Sequence, residues 1–442
     1  MLFCEFNQKQ KEFISHVLSK TRIGINRKGC IVLNAPAGTG KTTVVKYLYN
    51  QIHNVRICAP THKAKGVLIK GTKMFASTVH SFLGAEDNYD KDGDIYFEFS
   101  RSNEHQNLVI FVDECSMLND AMVNEFKKIS QTNLVIFVGD DLQLPPVSKE
   151  EPIEEEERTK SSTISKSFLV DDKWQLTENM RSRAKRSTDM LQLAREACYA
   201  NRMPDKMPPQ SVDAVIKTFI DYQDTDKTCI ALAYTNVKVN EYNKLIRSAL
   251  YLNDTTSTLN RFYVGEKLMF ASGFRMYSKE HKYYSSSIVE ICELSKETLS
   301  LEYKPCECKP DEFKRTRCRK HNYARGSIEL EFYKIIDQNN VEWYQPINAT
   351  KFAPLAKQYK DICKATGSTA MWRNYYQWIY LYNADLRYEY ASTIHKSQGS
   401  EWHTVFVDRN NLTRCASRNS VLKVNGYYTA ISRMREEVYD IQ

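Results

Sequence analysis

The stretch VLNAPAGTGKTTVV, residues 32–45, decides how the rest of the chain is read. Cys30-Ile31-Val32-Leu33 is a short apolar, partly β-branched run and reads as a buried strand ending near Asn34. Ala35 to Thr42 then keeps the spacing of a phosphate-binding loop, G-x-x-x-x-G-K-[ST], with Ala35 in place of the first glycine. Gly38 and Gly40 let the backbone turn and aim successive N–H groups at phosphate oxygens. A helix starting near Lys41 points its positive end at the same place. Lys41 is spaced to reach the β- and γ-phosphates of ATP, and the Thr42 hydroxyl to ligate Mg²⁺. Pro36, Ala37, Thr39 and Thr43 complete the lining. The strand before and the helix after are what separate this motif from an ordinary glycine-rich turn.

The same pattern continues outward. Val55–Ala59, Leu108–Val112 and Leu134–Val138 read as strands, each followed by polar residues at its C-terminal end, where parallel α/β sheets bind ligands. A second alternation starts at Cys229–Ala233 and closes far away at Val405–Val407. The fold class is therefore α/β, with two parallel-sheet domains. We expect the first over 1–83 and 107–175 and the second over 176–261 and 386–442. EDNYDKDGDIYFEFS, residues 86–100, has an Asp92-Gly93 turn signal between aromatic strand formers and reads as an inserted β-hairpin, bounded at 84–106. Residues 262–385 lack the strand–helix rhythm. They hold runs such as SIVEIC, TLSLEY and SIELEFYKI, which read as an all-β insertion. The acidic stretch 148–162 has no apolar period and reads as an exposed linker.

Composition bounds the class. The chain has 442 residues, enough for two to four domains. With 42% apolar and 26% charged residues it is a folding sequence rather than a disordered one. No run approaches the ~20 apolar residues of a membrane span, so no membrane partner is expected. The N-terminus lacks a signal-peptide pattern, so the 12 cysteines are expected as thiols in a reducing, cytoplasmic or nuclear interior. Net charge is +8, which permits a polyanionic partner provided the basic surface is local.

Hydrolysis needs more than a cradle. VIFVDECSM supplies Asp113 and Glu114 directly after a buried strand. Asp113 suits Mg²⁺, and Glu114 suits general-base activation of the attacking water. GDDLQLPPV adds Asp140 and Gln143, the glutamine placed to sense the γ-phosphate.

The ordered set NAPAGTGKTT, APTHKAK, ASTVHSF, VDECSM, VGDDLQLPPV, LTENMRS, YTNVKVNEYN, STIHKSQGSE and YYTAISRMRE resembles the superfamily 1B DNA helicases, and among them the RecD-like group. The resemblance spans nearly the whole chain. It implies two RecA-like domains with ATP between them, a duplex-splitting pin at the hairpin, an SH3-like insertion in the second domain and 5′→3′ movement. It implies that Gln10 reads adenine and that Arg181 and Arg433 reach across the cleft to the γ-phosphate. Gly399 and Glu401 would face the nucleotide. It also implies a monomer working on single-stranded DNA and duplex junctions, beside a single-strand-binding protein or replisome component. A viral or phage origin fits a chain with one motor and no accessory domain.

Segments at equivalent strand ends form the expected nucleic-acid track. On the first domain these are Pro60, Thr61, His62 and Lys63, then Thr78 and His80. On the second they are Thr235 and Asn236, then Thr393, His395 and Lys396. Hydroxyls, amides and ammonium groups bind phosphates without reading bases, and imidazoles stack on them. Phe97 is the candidate wedge of the hairpin, with Tyr96 and Phe99 as alternatives. Cys306, Cys308, Cys318 and His321 form a possible Zn²⁺ set, against which stands a basic surface loop with incidental cysteines. The competing functional readings are a translocase that displaces proteins without unwinding, a non-catalytic nucleic-acid clamp, and a P-loop kinase or GTPase.

Overall fold

Two runs, Val109–Val112 and Leu134–Gly139, are buried at every position, as only strands covered by helices on both faces can be. They form the middle of a six-stranded, all-parallel sheet in a computed structural model of the chain. Across this sheet the order is Ser77–Thr78, Val55–Ala59, Val109–Val112, Leu134–Gly139, Gly29–Asn34 and Asp172–Gln175. The structure describes residues 2–22, 27–72, 74–90, 92–100, 106–145, 164–178, 180, 185–223, 225–252, 259–271, 274–275, 282–283, 287–303, 326–416 and 420–442. The acidic 148–162 stretch, Arg181 and the Cys306, Cys308, Cys318, His321 set lie outside these residues.

The second sheet is also all-parallel, in the order Ala391–Thr393, Cys229–Ala233, Trp402–Val407, Met434–Ile441 and Pro209–Gln210. These sheets define lobe one and lobe two. Together they make one compact unit, Met1–Ala85, Phe99–Leu259 and Tyr390–Gln442. Glu86–Glu98 and Asn260–Glu389 make the other.

That second unit corrects one expectation. It contains a five-stranded sheet, antiparallel wherever its strands pair, led by the long Ile288–Tyr303 and Gly326–Asp337 pair. It is not all-β, because helices Ala349–Thr366 and Thr369–Asn383 fill its other half. The second helix reads TAMWRNYYQWIYLYN, so its aromatic residues carry a strand-like propensity. Ring packing overrides that propensity: Phe352 stacks on Trp378 at 5.2 Å, and Trp372 is fully buried. Hairpin strands Ala85–Tyr89 and Ile95–Phe99 are joined by a turn in which the Asp90 carboxylate accepts from the Asp92 and Asp94 amides. Gly93 has φ +86 there, and a Cβ on it would lie 2.5 Å from the Trp372 ring. Its carbonyl accepts from the Tyr376 hydroxyl at 2.9 Å, so the hairpin tip is seated on the aromatic helix.

Candidate nucleotide and nucleic-acid sites

The phosphate-binding loop has the conformation its glycines require. Gly38 and Gly40 take φ of +85 and +79, angles that favour glycine, and helix Lys41–Gln51 begins at once. Gln10 braces the loop from below. It is 2% exposed, its Nε2 donates to the Thr39 carbonyl at 2.9 Å, and its Oε1 accepts from the Asn7 amide at 3.0 Å. The Thr39 hydroxyl donates to the Pro36 carbonyl at 2.8 Å. Gln10 therefore spends one amide proton and one lone pair on the protein itself, and holds the cradle whatever else it reads.

Asp113 and Glu114 follow the Val109–Val112 strand into the same space. Glu114 sits at φ +52, a left-handed angle rarely adopted by a side-chain-bearing residue. Such strain concentrates at functional positions. Its Oε1 pairs with the Lys41 ammonium at 2.7 Å. Burial pushes the Glu114 carboxyl up, but Lys41 and Arg433 outweigh it and leave the group below its ordinary range. Asp113 is pushed up to about 6 by burial, against the pull of Lys41 and with a further push from Glu114. Burial opposes the charge on Lys41, and Glu114 and Asp113 more than restore it.

Asp113 Oδ1 and Glu114 Oε2, on adjacent residues here, are buried acceptors with no hydrogen-bond partner among the described residues, and so is Gln143 Oε1 on the loop after the Leu134–Gly139 strand. Buried polar atoms are normally satisfied, so the adjacent orphaned oxygens of Asp113 and Glu114 mark a place built for something else. Ser116 Oγ and Ser400 Oγ are orphaned in the same way. The sequence reading passed over both serines, because nothing separates them from ordinary serines until burial is known.

Lobe two brings Arg433. It is 4% exposed, and its Nε and Nη2 reach the Thr429 carbonyl at 3.2 Å and the Ser432 hydroxyl at 2.9 Å. Its charge acts on both Glu114 and Lys41 of lobe one. The other expected lobe-two residues differ in placement. Gly399, at φ +75, lies against Ala64 of lobe one, where a Cβ would stand 3.3 Å from the Ala64 Cβ. Glu401 pairs with Arg435 at 3.7 Å, a contact that does not involve the phosphate-binding loop.

The track residues share a local logic the sequence reading did not contain. Thr61, Thr78, Thr235 and Thr393 all accept from a backbone amide three residues on, at 3.1, 3.2, 3.4 and 3.4 Å. Each hydroxyl therefore caps the first turn of the segment after a strand. Asn411 fixes one of these turns, its Oδ1 accepting from the Tyr234 and Thr235 amides. Pro60 precedes the first cap, and Asn236 is exposed just past the third. Burial, then Lys65 and His80, depress His62 to about 4, so its ring is neutral. Burial likewise lowers His395, whose ring meets Tyr234 at 5.8 Å. The amide of Lys396 is the one that Thr393 caps. Lys63 places its ammonium 5.1 Å over the Trp402 ring, linking the lobes rather than projecting outward. In the hairpin, Phe99 packs on the lobe-one core, while Tyr96 and Phe97 are exposed at 47% and 40%.

No helix among the described residues is long and apolar enough to cross a membrane. The family described as an AAA domain matches residues 5–198, and the UvrD-like helicase C-terminal domain matches residues 388–439. The chain is 26% identical over 99% of its length to the whole of the ATP-dependent DNA helicase dda of Enterobacteria phage T4. It is 35% identical over 28% of its length to 17% of the ATP-dependent RecD2 DNA helicase of Deinococcus radiodurans. The same fold, at TM-score 0.51 and 15% identity, covers all of this chain and 92% of a Pif1 helicase solved in a study of unwinding at forked double-stranded DNA. The chain thus carries an AAA domain followed by a UvrD-like helicase C-terminal domain, is similar to DNA helicases along its length, and shares its two-lobed fold with a superfamily 1B helicase.

Proposed function

We propose that this chain is a DNA motor that hydrolyses ATP at the seam between its lobes and converts closure of the seam into movement along one strand. The observation that carries the reading is the seam itself. Beside a cradle whose glycines hold left-handed angles, orphaned acceptors of lobe one lie within the field of an arginine of lobe two. Hard oxygen donors of this kind fit a divalent cation, so Thr42 and Asp113 would hold Mg²⁺, and Gly38 to Thr43 would wrap the phosphates. When bound, Mg²⁺ neutralises charge on the phosphate oxygens. Lys41 binds the same oxygens once it leaves Glu114, and Glu114, so released, accepts a proton from the attacking water. Gln143 orients that water or the γ-phosphate, and Arg433 and Arg181 complete the site from lobe two. A non-catalytic clamp has no use for a strained, buried and incompletely bonded acid pair.

The track residues would grip the sugar–phosphate backbone from both lobes, and neutral His62 and His395 would stack on bases. We place the duplex junction at the hairpin, with Phe97 as the wedge and Tyr96 on the opposite face of the same strand. Polarity rests on the family resemblance, which gives 5′→3′. A single chain contains both halves of the site, so the proposed working unit is the monomer.

Strand separation on duplexes with a 5′ or a 3′ tail tests this reading. Wild type is expected to unwind the 5′-tailed substrate with ATP, and to hydrolyse ATP much faster with single-stranded DNA than without it. Phe97→Ala is expected to slow unwinding about tenfold, the loss of one stacking partner, while its DNA-stimulated ATPase stays within twofold. Equal hydrolysis with and without the strand would refute the motor, and equal loss of both activities in Phe97→Ala would make Phe97 a packing residue.

A further inference from the structure

Asp140 directly follows the Leu134–Gly139 strand of lobe one and is completely buried. None of the steps above uses it. Its Oδ1 accepts from Arg195 Nη1 at 3.0 Å, and its Oδ2 accepts from the Tyr428 hydroxyl at 2.8 Å. Arg195 is held in turn by Tyr199, whose hydroxyl lies 2.7 Å from Nη2, and by Asp141 at 3.5 Å. Helices Lys185–Tyr199 and Ser420–Ile431, which carry Arg195 and Tyr428, pack in lobe two.

The loop that follows repeats the crossing. Leu142 and Leu144 are buried in the lobe-two core beside Leu191, Ala194 and Tyr428. The Leu144 amide donates to Thr429 Oγ1 at 3.0 Å, and its carbonyl accepts from Gln398 Nε2 at 2.8 Å. Residues 140, 142 and 144 are thus gripped by lobe two, while Gln143 between them keeps an orphaned acceptor. The loop is rooted in one lobe and fastened to the other. Asp140 Oδ1 also accepts from the Leu142 amide of its own loop at 3.3 Å. Leucine contacts tolerate sliding, whereas a buried carboxylate bonded to two fixed donors of the other lobe has one register and is costly to leave half-paired.

We propose that Asp140 is a positioning residue: its bonds to Arg195 and Tyr428 make the Gln143 loop travel with lobe two, so that closure of the seam carries Gln143 onto the nucleotide. This rests on the seam-hydrolysis reading above. The test is a double-mutant cycle in DNA-stimulated ATPase, using Asp140→Asn, Tyr428→Phe and Gln143→Ala. Asp140→Asn is expected to lower kcat about tenfold and Tyr428→Phe about threefold, with KM for ATP and Kd for single-stranded DNA within twofold. In the Gln143→Ala background neither change has a further effect, because the side chain being positioned is gone. Thermal stability measured alongside separates this from a general loss of structure, which lowers Tm and leaves the effects additive. If Asp140→Asn does not fold, the milder Tyr428→Phe/Gln143→Ala cycle decides. Additive effects, or kcat within twofold of wild type, would overturn the role of Asp140. Absence of DNA stimulation in wild type would instead overturn the reading beneath it.

Discussion

Glu114→Gln is expected to lower ATP turnover by ~10²–10⁴, the usual worth of a positioned general base. The amide has the same shape but cannot accept the proton of the attacking water. The change also deletes the 2.7 Å ion pair between Glu114 and Lys41, so Lys41 is released toward phosphate and nucleotide binding is retained or tightened. Steady-state turnover together with equilibrium binding of a fluorescent ATP analogue measures both arms. If Glu114 served only to anchor Lys41, binding would change and turnover would stay within tenfold. The left-handed backbone at Glu114 argues for the catalytic role, because an anchoring carboxylate needs no such angle.

The second large effect is expected at Arg433. Arg433→Ala removes the lobe-two charge that acts on Glu114 and Lys41, and turnover is expected to fall by ~10³–10⁵ with nucleotide affinity changed little. Arg433, two residues past helix Ser420–Ile431, also donates to the Thr429 carbonyl in the last turn of that helix, so the melting temperature is measured alongside. Arg435→Ala, on a half-exposed side chain two residues on, is the control and is expected to leave turnover within twofold. Arg433→Lys keeps the charge but not the planar fork. It is expected to keep the melting temperature and lose most of the rate, which a capping role alone does not predict.

Much of this arrangement was legible in the sequence where one physical signal dominated. VIFV and LVIFVG are apolar throughout because both faces are covered, and the loop glycines stand at left-handed angles. Where signals conflicted, the sequence was less informative. Helix Thr369–Asn383 is built from tyrosines and tryptophans whose local preference is for strands, and only the rings packed on it make it a helix. Thr61, Thr78, Thr235 and Thr393 stood out as phosphate ligands, yet each has a sufficient local reason to be threonine as a helix cap. The bond between Asp140 and Arg195 joins residues 55 positions apart, and neither residue carries a local sign of the other. Orphaned atoms such as Ser116 Oγ become visible only when burial is known.

The central claim is that the lobes must move at the seam for nucleotide to turn over. Ala64 and Gly399 face each other across it at nearly the Cβ separation a disulfide needs. The deciding measurement is ATP turnover by an Ala64→Cys/Gly399→Cys variant, oxidised and then reduced, with the parent protein treated alike and cross-linking quantified by mass spectrometry. The account predicts that the cross-linked protein loses at least about tenfold in DNA-stimulated turnover and recovers it on reduction. A fully cross-linked protein that hydrolyses ATP as fast as its reduced form would contradict it.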